Sequence, residues 1–540
     1  MSQKPSAAHL VQAAYQHHMA GRLTEAEAGY REALTVSGRN ADALRFLGAV
    51  LLQRGDATGA VPLLEKAAKL APTAATWVNL AAALRADHNP GRAAEACRRA
   101  LALDKTLSAA VFALGHAYRD LGDLPAAADA YRDYLRREPT DVEGHVILGD
   151  TLRLMSNPDA AMDSYGAALA YDPSHINAHV NVAGIIQSQG FFHAGRTVLE
   201  ALARVAPESG EAQKTLAVAQ LQLGDFAAGW GGMEARFNAT TERVLRHPPP
   251  PAYWGGEDLA GKSILVWTEQ GLGDEILFAS MIPDVLARAG ACRIQCSPRM
   301  VPVFERAFPA ASIVSREDAA ETATQRTRFD VQQSCTSLGQ YLRPTFASFP
   351  RHDGYLKADP VKTARLREKY AARAQGRQIV GLSWRSTNPA FGSAKSAALE
   401  NFAPLLTQPG AMFVNLQYGD CRQEIAGVAQ RFGVDILEDA DVDSAASMED
   451  FLAQIAAMDL VVTTSNTTAH AAGALGVPVW ILLPFAAGVI WYWFLHRADS
   501  PWYPSATLMR ASRYEPTQPW ELEPIAAAAE AFRRRVRQQS

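Results

Sequence analysis

One small residue recurs along the first part of the chain at an almost constant interval: Ala14, Gly48, Ala81, Gly115, Gly149, Ala183 and Ala217, at steps of 34, 33, 34, 34, 34 and 34. A period of this length means that the chain is built from supersecondary units, each unable to bury its apolar face alone and so obliged to stack on the next. A turn glycine keeps the same register at Gly21, Gly55, Gly122, Gly190 and Gly224. A second small residue follows at Ala26, Ala60, Ala93, Ala127, Ala161 and Gly195, and units close near Pro72, Pro139, Pro173 and Pro207. Small residues suit close helix approach, and Tyr30, Tyr131 and Tyr165 are expected to fill the wider gaps between neighbouring units.

This period with these positions resembles the tetratricopeptide repeat, a pair of antiparallel helices. The array is expected over residues 7–238, as about six full repeats and a capping unit that degenerates after Gly224 and joins the next domain. Prolines 248–251 stiffen a linker over 239–260, because consecutive prolines hold an extended backbone.

Beyond Gly261 the pattern changes to apolar strand-like runs at Ser263–Trp267, Arg293–Cys296, Ile379–Ser383, Met412–Leu416, Leu460–Thr463 and Val479–Leu483. Helical stretches such as Glu275–Arg288 and Phe402–Thr407 separate them. Buried runs alternating with helices predict parallel sheets covered on both faces. Charged sequence from Asp359 to Arg377 divides them into two Rossmann-like lobes, 261–358 and 376–515, facing one cleft. A terminal helix over 519–538, half alanine-rich and half arginine-rich, could return onto the first lobe.

The 540 residues carry a formal net charge of -4, which offers no electrostatic footprint for nucleic acid. Five cysteines, Cys97, Cys292, Cys296, Cys335 and Cys421, contain no CxxC pair and imply a reducing compartment. The N-terminus has no apolar signal core, and the uncharged run from Val477 to Leu495 is broken by Pro478, Pro484 and Gly488. The expectation is a cytoplasmic protein without membrane insertion.

Three constellations point to chemistry. Gln270-Gly271-Leu-Gly273-Asp274-Glu275 follows a strand and opens a helix, whose unpaired N–H groups and dipole favour negative charge. A dinucleotide fingerprint fails here, since the third glycine would fall at Ile276. Asp274 is then either a first-turn helix acid or a general base.

The second is Ser465-Asn466-Thr467-Thr468-Ala-His470, again between a strand and a small-residue helix. Its donors suit a phosphate or pyrophosphate without metal, and His470 either bridges to phosphate or packs. The third is Trp384-Arg385-Ser386-Thr-Asn388 with Lys395 beyond it, cations placed to neutralise a departing phosphate or simply to sit at the surface. Asp439, Asp441 and Asp443 lack the glycine of a calcium loop and read as a solvated acidic turn. Trp491-Tyr-Trp493-Phe and Trp502-Tyr503 suit either stacking on a base or sugar, or core packing.

From Gly261 to about Ser512 the chain resembles the heptosyltransferase-like glycosyltransferases of GT-B fold. As a whole it is similar to bacterial tetratricopeptide proteins carrying such a domain, among them flagellin O-glycosyltransferases. The match rests on Glu269-Gln-Gly-Leu-Gly-Asp274, Val380-Gly-Leu-Ser-Trp384, Leu416-Gln417, Asp459-Leu-Val, the helix start Thr467-Thr-Ala-His470 and Ser500-Pro-Trp-Tyr-Pro504. It implies an inverting, metal-independent transferase without a cofactor, with Asp274 as base. Of the donor contacts the resemblance implies Lys395 and His470; the reading of the residues adds Arg385, Ser386, Gln417, Ser465, Asn466, Thr467 and Thr468, with acceptor-side contacts expected at Gln270, Gly271 and Gly273.

The family usually has Asp-Thr where this chain has Ser465-Asn466. Loss of that acid disfavours an ADP-sugar and fits, by analogy, a CMP-linked nonulosonic acid. The acceptor implied is a protein, flagellin, held by the array. Two rivals are a transferase acting on a lipopolysaccharide or capsule precursor, and a scaffold with degenerate lobes.

Overall fold

A computed structural model describes residues 5–239, 251–317, 328–386, 392–444, 446–486, 488–513 and 518–539. Residues 240–250 of the expected linker, and Asn388, lie outside the described residues. The chain divides into two compact units, Met1–Val182 and Ala183–Ser540. The boundary falls within the array, so the last helices of the repeat region belong to the same unit as the sheets.

Among the described residues fourteen helices run from α1 (Ala7–Met19) to α14 (Phe226–Met233) at the repeat period. The pair α7 (Ser108–Asp120) and α8 (Leu124–Arg137) shows how sequence makes one unit. Gly122 turns the chain at φ +81°, and the Asp123 side chain then accepts from Ala126 N–H to cap α8. A Cβ on Gly115 would lie 2.6 Å from the Tyr131 ring, so the missing methyl sets how closely the two helices meet.

Gly149 against Tyr165 and Gly48 against Leu64 repeat this contact at the same 2.6 Å, each with the large residue 16 positions on. The Tyr131 and Tyr165 rings therefore fill the space within a helix pair, opposite that pair's own glycine, whereas Tyr30 stacks on Phe46 of the next unit at 5.7 Å, as expected. Burying each ring is worth about 2–3 kcal/mol.

The second unit holds two parallel sheets. The first has five strands: β1 (Ala252–Tyr253), β2 (Ser263–Trp267), β3 (Ala291–Cys296), β4 (Ser312–Ser315) and β5 (Val331–Ser334), in the order β1-β5-β2-β3-β4. The second has six: β6 (Gln378–Ser383), β7 (Ala411–Asn415), β8 (Ile436–Leu437), β9 (Leu460–Thr464), β10 (Val479–Leu483) and β11 (Ala506–Arg510), in the order β11-β10-β9-β6-β7-β8. Both orders reverse direction beside the first long strand, between β2 and β5 and between β6 and β9. A crevice opens at the carboxyl end of such a switch point.

All six expected apolar runs are strands, to within two residues at either end. Five further strands were not anticipated. The clearest is β5, Val-Gln-Gln-Ser, whose amides serve backbone: Gln332 Nε2 donates to Pro251 O at 2.7 Å and Gln333 Nε2 to Trp254 O at 3.0 Å. The expected Glu275–Arg288 helix is two, Leu272–Ala279 and Ile282–Leu286, the second opening with Pro283, which has no N–H for a continuous ladder.

The terminal helix, Leu522–Gln539, packs on the second sheet and not on the first lobe. Ile525, Ala528, Ala529 and Phe532 share a core with Val380, Leu382, Val462 and Leu482, and Arg535 donates to Gln378 Oε1 at 3.1 Å. No helix among the described residues is long and apolar enough to cross a membrane.

Candidate functional site

The turn after β2 is made by Gln270, exposed and at φ +66°, a conformation unfavourable for any residue with a Cβ. Gly271, exposed and extended, is the N-cap of the Leu272–Ala279 helix. Its first turn carries two acids with different fates. Glu275 is wholly buried, accepting from Ser297 Oγ at 2.7 Å and pairing with Arg316 at 2.8 Å. Asp274 is partly exposed and lies close enough to Lys395 to oppose the effect of its burial.

Across from this turn is the end of β9. Asn466 caps the Thr467–Ala474 helix, its Oδ1 accepting from Thr468 N–H at 2.9 Å and from Thr463 Oγ1 at 3.1 Å. Its Nδ2 donates to Ser383 Oγ at 2.8 Å and to Arg385 O at 3.2 Å, tying the ends of β6 and β9 together at the switch point. The two turns meet closely: a Cβ on Gly273 would lie 3.2 Å from His470 Cδ2 and 3.9 Å from Thr467 Oγ1. Gly273, Thr467 and His470 are thus brought together, with Asp274 and Lys395 beside them.

Lys395 is 7% exposed, and burial pushes its ammonium down from the usual lysine range while the Asp274 charge pulls it back up. Ser465 and Thr468 are also buried, and two hydroxyl oxygens at this strand end, Thr464 Oγ1 and Thr468 Oγ1, have no hydrogen-bond partner. Unsatisfied buried hydroxyls beside a helix N-terminus form a neutral seat for an oxyanion.

Other expected donor contacts are occupied within the chain. The Arg385 guanidinium donates to Asp420 O at 2.6 Å and pairs with Glu424 at 3.4 Å. Gln417 Oε1 accepts from Trp384 N–H, Arg385 N–H and Ser383 Oγ, so it shapes the loop after β6. Ser386 N–H donates to Ser396 Oγ at 2.9 Å.

His470 is 2% exposed and held on both sides, Nδ1 to Tyr503 OH at 2.9 Å and Nε2 to Tyr492 OH at 3.2 Å, with its ring stacked on Trp493. Burial, and then the nearby Lys395 charge, pushes the imidazole down to about 3. Both ring nitrogens are engaged by tyrosine hydroxyls, the arrangement of the packing alternative. The aromatic cluster is likewise interior, with Trp493, Trp502 and Tyr503 at most 1% exposed. The acidic turn is not simply solvated either: Asp439 accepts from Lys369 Nζ at 2.6 Å and from Tyr370 OH at 2.8 Å.

One polar network went unread in the sequence. Arg236, 1% exposed, donates through Nε and Nη2 to Glu269 Oε1 at 3.1 and 2.7 Å, and through Nη2 to Ser334 Oγ and Ser337 Oγ. It joins the short turn of 3-10 helix after α14 to the ends of β2 and β5, five residues before Asp274. Its only sequence signal is that Glu269 is an acid ending an apolar strand.

The tetratricopeptide repeat family matches residues 19–75, 112–176 and 187–229, and the N-terminal part of the chain is built of these repeats. Protein FlbA of Caulobacter vibrioides is 34% identical over 313 residues, covering 55% of this chain and 52% of that protein. Cellulose synthase 2 operon protein C of Komagataeibacter xylinus is 40% identical over 119 residues, 21% of this chain and 9% of that one. The chain therefore spans about half the length of the first of these relatives and less of the second. Among solved structures, YrrB, described as a TPR protein with an unusual peptide-binding site, is 22% identical over 32% of this chain and 90% of its own, at a TM-score of 0.29.

Proposed function

We propose that the chain is an inverting protein O-glycosyltransferase of GT-B fold, whose repeats hold a protein acceptor, flagellin, and present a Ser or Thr hydroxyl to the crevice between the two sheets. The observation that carries this reading is the approach of Gly273 to His470 and Thr467, which sets the Asp274 turn against the hydroxyl-bearing end of β9. Asp274 takes the hydroxyl proton as that oxygen bonds to the anomeric carbon, and the bond from that carbon to the nucleotide phosphate breaks. The leaving phosphate keeps the electron pair and is received by Thr467, Thr468 and Lys395. The likeness to FlbA fits a flagellum-associated role, and repeats of this kind suit peptide or protein binding. The neutral end of β9 suits a donor with a single phosphate, such as a CMP-linked sugar.

Asp274→Asn should lower transfer about 10³-fold, within the range for loss of a general base. Intact mass of flagellin from cells carrying the variant is the direct check; an unchanged glycan mass removes both the base and the acceptor. A second reading, a non-catalytic scaffold, is favoured by one observation: Arg385, Asn466 and His470 are already engaged within the chain, by Asp420 O, Arg385 O and Tyr503 OH. Thermal stabilisation by CMP, UDP, ADP or GDP separates the two, since a nucleotide at 100 times its Kd adds about 2.7 kcal/mol and a scaffold gains nothing.

A further inference from the structure

The amino ends of the second sheet hold a cavity of about 360 Å³. It is walled by the last turns of the Pro360–Ala374 helix, the start of β6, Asp459 just before β9, and Arg535 of the terminal helix. Three guanidinium groups line it, those of Arg367, Arg377 and Arg535, against one carboxylate, Asp459.

The sequence concentrates arginine in the terminal helix, and the structure divides that run by role. Arg533 donates to Glu530 on its own helix at 2.7 Å, whereas Arg535 turns to the sheet and donates to Gln378 Oε1 at 3.1 Å and Asp459 O at 3.2 Å. Arg367 reaches the same aspartate from the other helix, pairing with its carboxylate at 2.7 Å and donating to Ala457 O at 2.9 Å. The second carboxylate oxygen of Asp459 accepts from Ile379 N–H at 2.8 Å. Arg377 donates to Ala374 O at 2.9 Å, to Arg373 O at 3.2 Å and to Ala411 O at 3.5 Å.

These bonds hold the guanidinium groups in place and leave most of their charge uncompensated. Arg377 and Arg535 meet only carbonyl and amide oxygens, and neither pairs with a carboxylate among the described residues. Three guanidinium groups against one carboxylate leave a formal charge of about +2, and each arginine keeps at least two of its five N–H groups beyond the bonds named. The whole chain carries -4, so the positive charge here is a local concentration.

Charge and size select the occupant. A lone carboxylate brings one negative charge, whereas a phosphomonoester brings about 1.5–2 near neutral pH, on three acceptor oxygens that guanidinium forks engage two at a time. The volume lies at the lower end of the ~300–1,000 Å³ of small-molecule sites, which suits a phosphate on a compact organic group. β9, Leu460–Thr464, separates this cavity from the helix start at Thr467 by five residues, or ~16 Å of strand. A phosphate held at the amino ends is therefore not the one received opposite Asp274.

We propose that Arg367, Arg377 and Arg535 form a second anion site, which takes the phosphate of a small phosphomonoester at the amino ends of β6 and β9. The site stands whether or not the crevice at the carboxyl ends is a transferase centre.

The test is calorimetric titration of the full chain with glucose 6-phosphate at low ionic strength, where exposed charges are least screened. Saturable binding is expected. Ala371 is exposed on the cavity wall, so Ala371→Glu removes no side-chain hydrogen bond and sets a carboxylate beside the arginines; it should abolish binding, while Ala371→Gln, of the same size, should leave it nearly unchanged. Arg377→Gln and Arg535→Gln should each weaken binding about tenfold or more, the loss expected of one charge-assisted hydrogen bond. Absence of saturable binding, or binding that survives Ala371→Glu and so lies elsewhere, overturns the proposal. Succinate, a dianion without phosphate, binding as tightly as glucose 6-phosphate would overturn the assignment to phosphate. Tighter binding of a hexaglutamate peptide would make this face a docking surface for an acidic protein segment instead.

Discussion

The repeats and the sheet unit bring their elements together by opposite means. In the repeats close approach comes from atoms left out: Gly115 and Gly149 have no Cβ where a tyrosine ring must lie, and Gly48 has none where Leu64 lies. In the sheet unit it comes from polar atoms put in, as where Arg236 is sunk among Glu269, Ser334 and Ser337. The first device is graded, since what an added methyl costs depends on how far the ring and helix give way. The second is all or nothing, because a buried charge without its partner cannot be hydrated.

The largest effect should follow from breaking that charge pair. Arg236→Met leaves Glu269 buried and unpaired and should cost about 3–5 kcal/mol of stability. The double variant Arg236→Met, Glu269→Gln should recover most of it, and urea unfolding of the two single variants and the double gives the coupling. Strict additivity would show that the two side chains are not coupled.

The same contrast explains what could be read from the chain. The array was legible because its signal is repeated: Ala14 to Ala217 keep one spacing, and chance cannot hold a register for six steps. The apolar strands were legible because burial on both faces leaves continuous runs such as Ile264–Trp267 and Val479–Leu483. β5 was not, since Gln332 and Gln333 are buried through hydrogen bonds to Pro251 and Trp254, partners about 80 residues away with no period to announce them. At the site, the Asp274 turn and the Asn466 helix start were found from strand-turn-helix grammar. The inward turn of Arg385 to Asp420 and the tyrosines on His470 were invisible, because local sequence gives a side chain's chemistry and not which neighbour claims it.

Acid sharpens the comparison next. His116, beside Tyr131 in the repeats, is pushed by burial down to about 4, and His470 in the sheet unit to about 3. Both rings are neutral when folded, whereas an unfolded histidine titrates near 6.5, so unfolding takes up protons below that value. Their contribution is complete above pH 6.5 and is lost as pH falls, down to about 4 for the repeats and about 3 for the sheet unit. His116→Gln and His470→Gln should each flatten the pH dependence of stability over their own window. Hydrogen exchange at a series of pH values reads the two units separately; equal flattening of both by either variant would contradict it.

Smaller effects test the repeats alone. Gly115→Ala puts a methyl 2.6 Å from the Tyr131 ring and should cost about 1–3 kcal/mol, the ordinary price of overpacking. A loss below 0.5 kcal/mol, measured by thermal unfolding, would mean that the helix pair relaxes more freely than its packing implies.

The smallest should run in the favourable direction. Gly21, Gly55, Gly122, Gly190 and Gly224 all turn the chain at positive φ, and at the two repeats lacking a glycine His88 and Ser156 take the same left-handed conformation, both at φ +57°. The fold imposes the turn whichever residue stands there, and a side chain in that region costs about 1–2 kcal/mol that glycine avoids. Glycine gives back about 0.5–1 kcal/mol through the greater freedom of its unfolded chain. Ser156 is exposed, so little packing is lost with its side chain. Ser156→Gly should therefore stabilise the repeats by about 0.5–1 kcal/mol, and Gly122→Ala, its mirror experiment, should destabilise them by about as much. If both variants destabilise, the left-handed turn is not where Ser156 carries its strain, and the repeats have adapted to the missing glycine elsewhere.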